Sequence, residues 1–181
     1  MASGNGKYVI TGGPGSGKSS LIAALAAQGL PTIAEGGRAI IRDQLAIGGT
    51  ALPWADRSAF AAQMLGWEMR SHHMADAIEG PVFFDRGVPD VLGYLRLTGE
   101  PVPLHVETAA RHFRYDQRIF IAPWWPDIYA GDAERKQSPE EAEATFRMMA
   151  SVYAELGYTL VPLPLAPLED RVRFVRMTIG I

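Results

Sequence analysis

Short runs of apolar and β-branched residues alternate along the chain with longer segments in which apolar residues recur every three or four positions. The short runs predict strands buried on both faces, since such strands have no polar side. These strands are expected at residues 8–11, 31–34, 82–84, 118–122 and 158–163. Glycine or proline follows several of them, as expected where a strand ends in a loop.

The longer segments predict helices at residues 18–28, 37–45, 56–78, 88–97, 104–113, 139–156 and 168–177. In the segment 56–78 the large apolar residues fall at helical spacing: Phe60, Met64, Trp67, Met74 and Ile78. Ser138 followed by Glu141 has the spacing of a capping box and predicts a helix that begins just after Ser138. Strands that alternate with helices predict an α/β fold with a doubly wound, five-stranded parallel sheet.

Composition narrows the class of protein. The 181 residues are 48% hydrophobic and fit a single domain spanning 1–181, with 1–6 expected to be a flexible tail. A net charge of -3 gives no broad basic face, so nucleic acid is not the expected partner. The absence of cysteine excludes disulfides and thiolate metal sites. We find no signal peptide and no run near the ~18 apolar residues of a membrane span, so we expect a cytoplasmic protein with no membrane partner.

The strongest functional signal follows the first predicted strand. Residues 12–19 read GGPGSGKS and match the phosphate-binding pattern G-x-x-x-x-G-K-[ST]. Its glycines, Gly12, Gly13, Gly15 and Gly17, with Pro14 and Ser16, let several backbone N–H groups point at one polyphosphate. Lys18 supplies a mobile positive charge to the outer phosphates, and the Ser19 hydroxyl is a suitable oxygen ligand for Mg²⁺. We expect 12–19, with Ser20, to bind a Mg-nucleoside triphosphate.

An acidic residue ends the third predicted strand. Asp85 would lie beside the phosphate loop, where a carboxylate can hold Mg²⁺ directly or through water. The alternative is a strand-end aspartate that caps the residues after it. Arg86 follows at once, and its planar guanidinium suits a phosphate or a carboxylate.

Several further segments carry a family resemblance. They are VITGGPGSGKSS, Glu35-x-x-Arg38 after the second strand, Asp85-Arg86-Gly87-x-x-Asp90-x-x-x-Tyr94, WWPDIYAGDAERKQ at 124–137 and Leu156-Gly157-Tyr158. Together they resemble the small AAA-domain ATPases related to ribosylnicotinamide kinase and to other nucleoside and nucleotide kinases. The resemblance covers nearly the whole chain and implies a kinase-type P-loop fold with a lid at about 124–138.

Kinases of this layout place the phosphoryl acceptor next to the loop after the second strand. Glu35 is therefore expected to orient or deprotonate an acceptor hydroxyl, with Arg38, Arg86 and Asp90 binding the acceptor. Arg135 in the lid is expected to stabilise charge on the transferring phosphoryl group. Four of these residues have a plainer alternative role. Glu35 and Arg38 could form a weak surface pair, Asp90 could be a core or capping residue, and Arg135 could belong to a solvated loop.

The sequence thus predicts a phosphotransferase that uses ATP or GTP with Mg²⁺ and phosphorylates a small acceptor. That acceptor would be nucleoside-like or another hydroxylated or phosphorylated molecule. The alternative is a nucleotide-dependent switch without a small-molecule acceptor.

Overall fold

The structure, a computed structural model, describes residues 6–128 and 138–181. Five strands form one sheet in the order β2-β3-β1-β4-β5, and all the paired strands are parallel. The strands are β1 (Lys7–Gly12), β2 (Thr32–Ile33), β3 (Val82–Asp85), β4 (Arg118–Ala122) and β5 (Thr159–Pro162). The predicted sheet and each of its five strands are confirmed, with ends shifted by one residue in most cases.

Seven α-helices connect or follow these strands. They are α1 (Lys18–Ala27), α2 (Gly37–Ile47), α3 (Arg57–Met74), α4 (Val88–Leu97), α5 (Leu104–His112), α6 (Pro139–Glu155) and α7 (Leu168–Ile179). Short 3₁₀ turns follow α3 at Ala75–Ala77 and β4 at Pro126–Ile128. The predicted capping box is present, because the Ser138 side chain accepts from the Glu141 N–H while Glu141 accepts from the Ser138 N–H.

The core has two layers, one on each face of the sheet. On one face Val9, Phe84 and Ile119 pack against helices α3 to α6. On the other face Ile10 and Phe120 pack against α1 and α7. Neighbouring residues of a strand point to opposite faces, so a strand covered on both faces is apolar throughout. This arrangement confirms the doubly wound architecture.

The residues that α3 buries coincide only in part with its large apolar residues. Phe60 is buried and Met64 packs partly buried against the core, whereas Met74 and Ile78 are exposed. The other buried residues of the helix are Ala61, Leu65, Glu68 and Ser71. The large apolar residues alone therefore do not show that Glu68 and Ser71 are buried. An acidic residue, Glu68, thus lies inside the molecule.

Parallel strands bring the loops after β1, β2 and β3 to the same edge of the sheet. Ile10 is in register with Asp85, and Ile33 is in register with Phe84. The residues that follow these positions therefore meet beyond the carboxyl ends of the strands, where α/β proteins bind ligands. Within the described residues, no helix is long and apolar enough to cross a membrane.

Candidate active site

The loop between β1 and α1 has a backbone that its glycines make possible. Gly12, Gly15 and Gly17 have φ angles of 133°, 71° and 79°, in the region that side chains disfavour. A Cβ atom on Gly12 would lie 2.5 Å from the Ala122 carbonyl oxygen. A larger residue at Gly12 would therefore both strain the loop and collide with β4.

Lys18 is folded into the loop rather than extended into solvent. Its ammonium group donates a hydrogen bond of 2.7 Å to the Gly13 carbonyl oxygen, which also accepts one of 2.7 Å from the Ser16 hydroxyl. Burial is the main cause that lowers the pKa of Lys18 to about 7, and repulsion from Arg86 is the second. Nearby carboxylates, led by Asp85, act in the opposite direction. Lys18 is thus held among charged groups at the inner side of the loop.

A buried arginine from the C-terminal helix supports the loop from behind. Arg171 is 3% exposed and donates a hydrogen bond of 3.0 Å to the Ser16 carbonyl oxygen. A Cβ atom on Gly17 would lie 2.5 Å from its terminal nitrogen. The guanidinium carbon lies 6.0 Å from the ring centre of Trp125, and its Nε is buried without a partner. Arg171 thus places a positive charge directly behind the phosphate loop.

Asp85 ends β3 beside this loop. The side chain is 8% exposed, and its Oδ1 is buried without a hydrogen-bond partner. Burial raises the pKa of Asp85, while Lys18 lowers it. A buried carboxyl oxygen that lacks a partner is costly unless a ligand satisfies it.

Arg86 adopts a backbone conformation that is rare for its type, with φ of 75°. Its N–H donates to the Ile10 carbonyl oxygen, which ties the turn to β1. In its side chain, Nε donates to Glu35 at 3.0 Å and a terminal nitrogen donates to Asp90 at 3.2 Å. Burial alone would lower the pKa of Arg86, but Glu35, Asp90 and Asp85 raise it, so the guanidinium stays charged. Arg86 thereby joins the loop after β2 to the start of α4.

Asp90 is the most fully hydrogen-bonded carboxylate of the site. Its Oδ1 accepts from the Thr11 hydroxyl at 2.5 Å as well as from Arg86. Its Oδ2 accepts from the Gly87 N–H at 2.9 Å and from the Tyr153 hydroxyl at 2.6 Å. This is the geometry that the capping alternative for Asp90 predicts, since the carboxylate closes the first turn of α4.

The structure brings most of the predicted site residues together. They form one charged cluster of Lys18, Glu35, Asp85, Arg86 and Asp90. Within it, the charge of each of the first four residues shifts the pKa of at least one other member. The other predicted residues lie further out. Ser19 and Ser20 are exposed at the start of α1, Arg38 is exposed in the first turn of α2, and Arg135 lies outside the described residues.

Sequence reasoning missed four residues that complete the cluster: Thr11, Glu68, Tyr153 and Arg171. Tyr153 and Arg171 reach the site from helices 63 and 155 residues away from their partners. Contacts between residues so far apart in the chain cannot be predicted from a local sequence pattern. The signal for Glu68 was present, because it is an acidic residue within an otherwise apolar or small helical stripe.

These features define a P-loop protein with a charged site at the carboxyl edge of a five-stranded parallel sheet. The chain belongs to the AAA-domain family whose model matches residues 7–171. A search of curated protein sequences finds no match.

Several solved structures share the fold. Deoxyadenosine kinase from M. mycoides with bound dATP superposes with a TM-score of 0.65 at 11% identity, over 97% of this chain and 100% of that one. NadR in complex with NR gives a TM-score of 0.68 at 18% identity, over 97% of this chain and 51% of that one. NadR in complex with NAD and AMP-PNP gives a TM-score of 0.68 at 17% identity, over 97% of this chain and 50% of that one. At these identities the likeness establishes the fold alone.

Proposed function

We propose that the protein is a phosphotransferase that binds MgATP or MgGTP at residues 12–20 and transfers the γ-phosphoryl group to a hydroxyl of a small, nucleoside-like acceptor. The observation that carries this proposal is the meeting of Lys18 and Asp85 with the Glu35–Arg86 pair at one edge of the sheet. A phosphate loop alone serves many nucleotide-binding proteins. A half-buried pair of carboxylate and guanidinium beside it supplies an acceptor for the proton of a substrate hydroxyl and a positive charge next to it.

The phosphate loop provides the donor half of the site. Its backbone N–H groups and the N-terminus of α1 would surround the phosphates, and Lys18 would exchange its bond to the Gly13 carbonyl for one to an outer phosphate oxygen. Arg171 would hold the loop in this shape and add positive charge behind it. These contacts bind the triphosphate in its reactive position.

Asp85 and Ser19 would hold Mg²⁺. The fit rests on the unpartnered Oδ1 of Asp85, an oxygen at the strand end beside Lys18. Within the described residues, no three acidic or histidine side chains form a metal-binding group. This suits Mg²⁺ in phosphoryl transfer, since it usually takes one or two protein ligands and completes its shell with phosphates and water. The ion would neutralise charge on the phosphates.

Glu35 and Arg86 would provide the acceptor half. Burial opposes ionisation of Glu35, but Arg86 and Lys18 bring its pKa below the ordinary value. As a carboxylate, Glu35 would accept a hydrogen bond from the acceptor hydroxyl and aim its oxygen at the γ-phosphorus. A bond forms from that oxygen to phosphorus, the bond to the β–γ bridging oxygen breaks, and the nucleoside diphosphate leaves. The hydroxyl proton passes to Glu35 or to solvent.

The remaining assignments complete the proposal. Arg38 would bind the outer part of the acceptor, and Asp90 would hold Arg86 in place. Arg135 would close with the lid over the transferring phosphoryl group.

A screen of nucleosides and small hydroxylated metabolites tests the function. We expect at least one acceptor to stimulate ATP or GTP consumption and to appear as a phosphorylated product by mass spectrometry. Lys18→Ala should abolish the product, whereas Asp43→Asn, an exposed position on α2, should leave it unchanged. Tight nucleotide binding with no phosphorylated product across the screen would contradict the proposal and favour the nucleotide switch.

A further inference from the structure

The loop that carries Glu35 has little within its own sequence to hold it in place. β2 has only two residues and makes its last pairing at Ile33, which is in register with Phe84. α2 begins at Gly37, and its N-cap residue, Gly36, offers no side-chain hydrogen bond. Glu35 therefore lies between a short strand and a helix without a side-chain cap. A functional carboxylate in such a loop needs support from other elements if it is to keep one position.

Trp67 of α3 supplies this support on both sides of Glu35. Its indole N–H donates a hydrogen bond of 3.4 Å to the Ala34 carbonyl oxygen. Its ring lies against Gly36, where a Cβ atom would be 2.5, 2.6 and 2.8 Å from Cγ, Cδ1 and Cδ2 of Trp67. These ring atoms are at the root of the side chain, so turning the far end of the ring would not relieve the collision. Trp67 thus contacts the residue before Glu35 and the residue after it.

This contact explains the glycine at position 36, whereas the backbone does not. The φ of -83° and ψ of -25° of Gly36 are open to any residue. A serine or aspartate at this N-cap would stabilise the helix, as Asp56 does for α3 and Ser138 does for α6. Gly36 lacks that cap and is buried, and Trp67 is partly buried. The chain therefore omits a side chain at the point where the indole ring approaches the loop.

The carboxylate of Glu35 is fixed from a different direction. The Nε of Arg86, in the turn after β3, donates a hydrogen bond of 3.0 Å to it. The backbone around Glu35 is thus held by α3, and its carboxylate is held by the neighbouring strand end. Such precision matters for group transfer, because a misplacement of about 1 Å can lower a rate by about 10²-fold.

We infer that Trp67 is a positioning residue, which holds Glu35 in place for the acceptor hydroxyl through its contacts with Ala34 and Gly36. The inference rests on the proposed function, in which Glu35 accepts the hydrogen bond of that hydroxyl. Trp67 acts on the acceptor half of the site only. Its loss should therefore lower the rate of transfer and leave the affinity for the triphosphate unchanged.

Two substitutions approach this contact from opposite sides. Trp67→Leu removes the ring and its N–H, whereas Gly36→Ala forces the ring and the loop apart without removing either. We expect each to lower kcat about tenfold and to change the Kd of MgATP and MgGTP less than about twofold. Trp67→Phe again places a ring over Gly36 and should retain most of kcat. The controls are Trp54→Phe, at a position that is 65% exposed, and Gly66→Ala, whose Cβ would meet nothing within 4 Å.

A double-mutant cycle with Glu35→Gln shows whether Trp67 acts through Glu35. The acceptor is the nucleoside with the highest kcat/KM among adenosine, deoxyadenosine, guanosine, cytidine and uridine. In the Glu35→Gln background, Trp67→Leu should lower kcat by less than about twofold further, because the carboxylate that it positions is gone. A merely structural role would lower kcat by the same factor in both backgrounds. If Trp67→Leu does not fold, Gly36→Ala completes the same cycle.

Amide hydrogen exchange tests the support of the loop without any acceptor. Trp67→Leu should speed exchange at residues 34–40 and leave residues 12–19 unchanged. Unchanged exchange at 34–40, or equal losses of kcat in the two backgrounds, would overturn the inference while wild type still forms product. Failure of the proposed function looks different, because wild type itself then forms no product from any of the nucleosides. The positioning role would fall with it, since Glu35 would have no acceptor hydroxyl to receive.

Discussion

The hydroxyl of Tyr153 donates a hydrogen bond of 2.6 Å to the carboxylate of Asp90, and both side chains are buried. Tyr153 belongs to α6, which follows the proposed lid, and Asp90 lies in the first turn of α4 beside Arg86. The contact links the lid-proximal helix to the acceptor half of the site. Burial and the negative charge of Asp90 raise the pKa of Tyr153 well above its ordinary value, so the hydroxyl remains a donor.

Tyr153→Phe should therefore destabilise the protein. The substitution leaves a buried carboxylate with one donor fewer, a loss of about 1–3 kcal/mol in the free energy of unfolding. Chemical denaturation measures it. Tyr94→Phe is the matched control, because the Tyr94 hydroxyl is buried without a partner and its removal should be neutral or stabilising. Equal losses in the two variants would show that the Tyr153 hydrogen bond does not stabilise the fold.

Asp85→Asn should weaken nucleotide binding in the presence of Mg²⁺ far more than in its absence. The amide is close in shape to the carboxylate but carries no negative charge for the ion. Titration of ATP and GTP with and without Mg²⁺ measures the difference. Asp43→Asn, on the surface of α2, should leave both affinities unchanged. The same loss of affinity under both conditions would make Asp85 a structural residue.

Arg171→Met should separate stability from binding. Methionine keeps much of the side-chain volume, and replacing a buried charge by an apolar group is often neutral or stabilising. The loss of the hydrogen bond to the Ser16 carbonyl and of the charge behind the loop should lower triphosphate affinity about tenfold. Arg173→Met, on the exposed face of the same helix, is the control. Reduced stability with unchanged affinity would assign Arg171 to the core alone.

The elements of this fold could be predicted because local chemistry marks their ends. The glycine loop after β1 and the Ser138–Glu141 cap fix α1 and α6 from a few residues each. Asp85 and Glu35 could be placed near the phosphate loop, because parallel strands bring their loops to one edge.

The site contacts could not be predicted in the same way. Tyr153 and Asp90 are 63 residues apart, and their contact depends on how α6 packs against α4. Glu68 was missed because a glutamate in a helix is normally expected on the exposed side.

The proposed lid yields a kinetic prediction. Arg135→Ala should lower the single-turnover rate by about 10²–10⁴-fold with little change in nucleotide affinity, since a guanidinium acting only on the transition state does not tighten ground-state binding. Arg135→Lys should restore little, because an ammonium group cannot bond two oxygens at once in the same plane. Lys136→Ala is the neighbouring control. Loss of affinity at an unchanged rate would make Arg135 a binding residue.

Glu68 also predicts how stability depends on pH in the free protein. Burial, then the charges of Asp90, Glu35 and Asp85, raise its pKa well above the ordinary value of 4.5, while Arg86 acts in the opposite direction. Between those two pKa values the folded protein binds a proton at Glu68 that the unfolded chain has released. Stability must therefore fall as pH rises through this window, by up to about 1.4 kcal/mol per pH unit from this group.

Glu68→Gln removes that dependence, so its advantage in unfolding free energy over wild type should be small near pH 4 and grow as the pH is raised. Denaturation curves at several pH values measure it, without nucleotide or acceptor. Glu79→Gln, at an exposed position, should follow the wild-type curve. Wild-type and Glu68→Gln curves that stay parallel across the range would mean that Glu68 ionises as readily in the folded protein as in the unfolded chain. Its carboxyl group would then already have a partner in the free protein.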